Sequence, residues 1–155
     1  MVADLLVDYK IPVVLRRVHE LPLREDDAVD LPYQLPALLA EKGVKFCLQN
    51  DGSMQAMGTR NLPFYAGTAA AHGLDREEAL KSISLHAAQI LGIDQQVGSL
   101  EPGKRATLFV SEGDALDMRT NQLSAAFVSG KMIDLGSHQR DLYERYMKKY
   151  GLEPN

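Results

Sequence analysis

Two short apolar runs separated by a helix-spaced segment constrain this chain more than any other feature. Residues 11–15 (Ile-Pro-Val-Val-Leu) and 44–48 (Val-Lys-Phe-Cys-Leu) have the length and the β-branched or aromatic content of buried strands. Between them lies a polar loop from Arg16 to about Pro32, holding His19 and the acidic run Glu25-Asp26-Asp27. Helical spacing at Leu35, Leu38 and Leu39 follows and ends at Gly43. Because the connection contains a helix, the strands are expected to be parallel neighbours joined by a right-handed crossover. Chemistry in such sheets gathers just beyond the strand C-terminal ends, which makes 16–33 and 49–61 the candidate mouth.

The rest of the chain changes period. Residues 3–9 close a helix, and an Ala-rich helix is expected from Leu62 to Gly73. Asp75-Arg76-Glu77-Glu78 has the capping-box spacing and opens a helix expected to run through Ala79, Ile83, Ala87 and Leu91 to Gly92. After it, Leu100 and residues 107–110, 125–128 and 131–133 read as short strands, with Ser129-Gly130 a tight hairpin turn. An amphipathic helix is expected from Gln139 to Tyr150.

With 155 residues there is room for one sizeable core and little for a second. The net charge of −4 gives no electrostatic reason to expect nucleic acid or an anionic membrane as partner. The basic pair Lys148-Lys149, with Arg140 and Arg145, is diluted by Asp141 and Glu144 and reads as a solvated helix face. Cys47 is the only cysteine, which excludes an intramolecular disulfide and a Cys-rich zinc module. The first eight residues carry two acids and no cationic leader, so they do not read as a signal peptide. No run approaches the ~20 apolar residues of a membrane span, and a cytoplasmic setting is the default expectation.

Residues 79–93 (Ala-Leu-Lys-Ser-Ile-Ser-Leu-His-Ala-Ala-Gln-Ile-Leu-Gly-Ile), followed by Gly-Ser-Leu-Glu-Pro-Gly-Lys at 98–104, resemble the terminal signature of the amidohydrolase superfamily. Upstream, Arg60-Asn61-Leu62-Pro63-Phe64 and the Ala-Gly-Thr-Ala helix resemble the imidazolonepropionase-related branch. Two departures stand out. Arg105-Ala106-Thr107 replaces the usual Asp-Ala-Asp continuation, and His86-Ala87 stands where such proteins often carry Asn-Pro.

The resemblance implies an α/β fold made of the last βα units of a TIM-like barrel, the short β-hairpins of a small β-domain, and a C-terminal helix. The corresponding boundaries are 1–96, 97–137 and 138–155. A quarter of a barrel leaves an unpaired edge on a sheet that is normally buried, so the expected partner is the remainder of the barrel or another copy of the chain.

The resemblance also implies hydrolysis of a C–N bond in a small-molecule substrate (a cyclic amide, an imidazolone-like ring or a dipeptide-like compound) by water activated on a divalent metal, usually zinc. The His-x-His pair that normally holds the metal is missing, and His19, His72, His86 and His138 are isolated. The metal is therefore expected in the complete protein and not tightly bound by this chain alone. Asp51, just past the second strand, is the candidate catalytic Asp and metal ligand, although Asn-Asp-Gly is also an ordinary turn. His19, Arg60 and Asn61 are candidate substrate contacts. Against these stand an exposed-loop role for His19 and a helix-capping role for Asn61. His72 and His86 are expected to pack or face solvent. The competing function is a non-catalytic assembly or binding module.

Overall fold

The computed structural model describes residues 2–16, 18–50 and 55–152. Helix α1 (Val2–Asp8) leads into β1 (Val13–Leu15), α2 (Leu31–Glu41) and β2 (Phe46–Leu48). A short helix α3 (Gln55–Gly58) and a 3-10 turn (Thr59–Asn61) then precede α4 (Leu62–Ala71), α5 (Arg76–Ser82) and α6 (Leu85–Ile90). Strands β3 (Leu108–Ser111), β4 (Leu123–Val128) and β5 (Lys131–Met132) form an antiparallel sheet, and α7 (His138–Tyr150) follows. Among the described residues, no helix is long and apolar enough to cross a membrane.

Strands β1 and β2 pair in parallel, with Val13, Val14 and Leu15 opposite Phe46, Cys47 and Leu48, as two apolar runs joined by a helix should. All of β2 is buried. Phe46 and Leu48 pack with Tyr65, Ala66 and Ala69 of α4, Ala79 of α5, and Leu74. Two loops join them. Val18 is only 3% exposed, so the polar stretch after β1 supplies a core residue that its composition hides. Leu116 comes from the loop after β3, and its carbonyl lies where a Cβ on Gly67 would stand; only glycine lets α4 and that loop approach so closely.

Several local expectations hold. Ser129 and Gly130 both have positive φ (51° and 80°), the pattern of a type I′ hairpin turn, between β4 and β5. Gly43 ends α2 in the left-handed region. Asp75 caps α5, its Oδ1 accepting from the amides of Glu77 (2.9 Å) and Glu78 (3.1 Å). Replacing Asp75 by alanine should lower stability by about 1 kcal/mol, measurable by urea denaturation, with Asp75→Asn nearly neutral.

Other expectations need correction. The single helix expected from Asp75 to Leu91 is two, broken at Ile83 and Ser84. The Ser82 hydroxyl donates to the Ala79 carbonyl and that of Ser84 to the Leu80 carbonyl, a local competition that ends the turn. Helix α2 begins at Leu31, earlier than its apolar spacing suggests, because Pro32 fits the first turn; Pro36 is accommodated inside the helix and is fully buried. Leu100 is not in a strand and is 83% exposed. Asn61 makes no capping hydrogen bond: with φ −89° and ψ −3° its backbone continues the preceding 3-10 turn, and a capping side chain needs an extended backbone to reach forward.

Candidate functional site

Parallel pairing brings the C-terminal ends of β1 and β2 to the same side. The amide of Gln49 donates to the carbonyl of Leu15 at 3.0 Å, which carries the pairing one step past β2 and holds the two exit loops together. The β1 loop delivers His19 beside buried Val18. The β2 exit delivers Asn50. Helix α4 supplies Tyr65 and Thr68, three residues apart and therefore on one face.

These groups form a connected set. The Tyr65 hydroxyl donates to Asn50 Oδ1 at 3.3 Å, with the ring of Tyr65 buried. His19 Nε2 lies 2.7 Å from Thr68 Oγ1, which itself donates to the carbonyl of Phe64 at 3.0 Å. The His19 ring meets Tyr65 edge-on at 4.8 Å and Tyr33 at 6.1 Å, and Tyr33 meets His72 at 5.2 Å. The sequence points to His19 but not to Tyr33, Asn50, Tyr65 or Thr68. Two polar groups at helical spacing in an otherwise Ala-rich α4 were the available signal.

His19, Gly67 and Thr68 line one wall of a cleft of about 470 Å³, and Arg76, Asp117 and Arg119 contribute to the other. Arg76 pairs with Asp114. Arg119 grips Asp117 through Nε and Nη2, the latter at 2.7 Å, and the Asp117 carboxyl is held down to about 2, chiefly by that hydrogen bond. Each arginine in the cleft is therefore matched by a carboxylate. The cleft offers hydrogen-bond partners more than a net field.

Asp51 lies outside the described residues. Arg60 is exposed on the 3-10 turn and Asn61 is half-buried at its junction with α4; among the described residues no hydrogen bond or ion pair joins either to His19. No three His, Cys, Asp or Glu side chains among the described residues come together as a metal-holding set, and His19 Nε2 is engaged by Thr68. The described residues therefore do not fit a metal shell of three or four ligands by themselves.

Burial lowers the pKa of His19, and it is also the main cause for His86, where the nearby Glu78 carboxylate opposes it at 3.8 Å. A histidine whose folded pKa lies below 6.5 favours the folded chain above that value and loses the benefit as pH falls through the folded pKa. Urea midpoints should therefore fall on acidification from above 6.5, and His86→Gln should flatten that fall.

The residues 33–134 match the sequence profile of the Amidohydrolase family. Imidazolonepropionase from Erwinia tasmaniensis is 39% identical over 74 residues, covering 48% of this chain and 16% of that protein. A 5-methylthioadenosine/S-adenosylhomocysteine deaminase from Teredinibacter turnerae is 30% identical over 96 residues, covering 54% of this chain and 21% of that protein. An amidohydrolase structure from Thermotoga maritima superimposes with a TM-score of 0.70 at 27% identity, covering 86% of this chain and 34% of that one. The chain thus spans about a third or less of the length of the proteins it matches.

Proposed function

Because the chain belongs to the amidohydrolase family, we propose that it is the C-terminal portion of a hydrolase acting on C–N bonds other than ordinary protein peptide bonds, in a cyclic amide, an imidazolone-like ring or a dipeptide-like compound. One observation carries this reading: the matched residues, 33–134, include β2, its exit loop and α4, the elements that gather Asn50, Tyr65 and Thr68 beside His19. In this reading 1–96 is the end of a barrel, 97–137 a β-rich segment of a composite small domain, and 138–155 a C-terminal helix and tail.

Asp51, directly after Asn50, takes the proton of the attacking water and returns it to the leaving amine. His19, Arg60 and Asn61 contact the substrate. A divalent metal, zinc in this reading, belongs to the complete enzyme, and the described residues do not make its shell. The partner of this chain is the remainder of the barrel or a second copy, laid along the edge of the β1–β2 pair. Alone, the chain does not turn over substrate.

The non-catalytic reading draws on a different observation. Helix α1 buries none of its residues and leaves Val2, Leu5 and the following Tyr9 more than half exposed, a surface an assembly module would use.

The genomic reading frame upstream of Met1 separates the two. The hydrolase reading expects it to encode a strand ending in His-x-His, and a stop codon immediately upstream would favour the assembly module. Metal analysis supplies a second test: the purified chain should retain well under one tightly bound zinc per chain, and a full equivalent surviving dialysis would contradict the ligand assignment.

A further inference from the structure

We infer that Thr68 is a positioning residue that fixes neutral His19 in the Nε2–H tautomer, leaving Nδ1 as the lone-pair acceptor that His19 offers to an N–H or O–H donor of a ligand. A threonine hydroxyl has one proton. In α4 that proton faces the carbonyl of Phe64 at 3.0 Å, the usual back-bond of a helical threonine to the residue four positions earlier. A carbonyl can only accept. If Thr68 donated to His19 instead, two acceptor oxygens would face each other at 3.0 Å with no proton between them. With the hydroxyl proton committed to Phe64, the 2.7 Å contact must be a bond donated by His19 Nε2 and accepted by Thr68 Oγ1.

A neutral imidazole carries one N–H, so Nδ1 is then the bare nitrogen. No described residue bonds to Nδ1, and the side chain is exposed at the cleft. Edge-on contacts from Tyr65 and Tyr33 fix the ring plane without offering Nδ1 a competing partner. The partial desolvation His19 undergoes on its packed side lowers its pKa, which favours the neutral form. The site therefore selects for ligands that present a donor, such as a ring N–H, and disfavours those that present only a carbonyl or carboxylate to this position. Use of Nδ1 toward a substrate rests on the hydrolase reading above, whereas the tautomer is a property of the chain by itself.

Nitrogen-15 NMR of the labelled chain, recorded above the titration of His19, tests the assignment without any activity. The expected spectrum has a pyridine-type shift at Nδ1, a pyrrole-type shift at Nε2, and an observable Nε2-bound proton slowed in exchange by its bond to Thr68. Thr68→Ser should keep all three. Thr68→Val, with folding checked by amide dispersion, should lose the slowed proton and move both nitrogens toward the averaged shifts of a free histidine. A proton on Nδ1 in the unsubstituted chain, or a slowed Nε2 proton that persists in Thr68→Val, would overturn the proposal.

Discussion

On the hydrolase reading, Asp51→Asn in the complete protein should lower kcat by roughly 10²- to 10⁴-fold, the usual contribution of a well-placed proton acceptor. The change keeps the size and shape of the side chain and removes its ability to hold a proton at neutral pH. If Asp51 serves only as a turn residue, asparagine serves as well, because either side chain bonds the nearby backbone. Steady-state kinetics distinguish the two. A fall in kcat with KM little changed supports proton transfer, and an unchanged kcat assigns Asp51 to the turn. Its chain neighbour Asn50 is held by the Tyr65 hydroxyl at 3.3 Å, so Tyr65→Phe in the same assay reports whether that anchor matters to the role of Asp51.

The second large effect is on stability. Phe46→Ala should cost about 3–5 kcal/mol, the range for deleting a buried aromatic ring. Phe46 is 3% exposed, lies opposite Val13 in the parallel pair, and belongs to the cluster with Val18, Tyr65, Ala66, Ala69 and Leu116. A cavity there therefore touches both strands, α4 and two loops. Urea denaturation followed by circular dichroism measures it, and Phe46→Leu should lose much less because it retains most of the buried volume.

What could be read in the sequence was local, and what could not was tertiary. The Ser129-Gly130 turn, the Asp75 cap and the Gly43 stop each follow from residue types within a few positions of one another, and the parallel pairing follows from two local apolar runs with a helix between them. The break at Ser84 depends on which way two serine hydroxyls turn, and apolar spacing continues straight across it. The burial of Val18 and Leu116 depends on segments nearly a hundred residues apart meeting the same core. The candidate site behaves the same way. His19 was visible as a polar residue beyond a strand, but its bond to Thr68 spans 49 positions and has no signature in either neighbourhood. Asn61 reads as a cap from its place before Leu62, and the preceding 3-10 turn removes the backbone geometry a cap requires.

If this chain finishes an amidohydrolase, the whole protein should hydrolyse C–N bonds and this part of it alone should not. The most direct measurement is the rate of C–N bond hydrolysis, in zinc-containing buffer, by the polypeptide from the whole reading frame and by residues 1–155 alone, against imidazolone-like, cyclic-amide and dipeptide-like substrates. Turnover is expected from the former and only the metal-blank rate from the latter. Equal rates from the two proteins, or no hydrolysis of any of these substrates by the complete polypeptide, would contradict it.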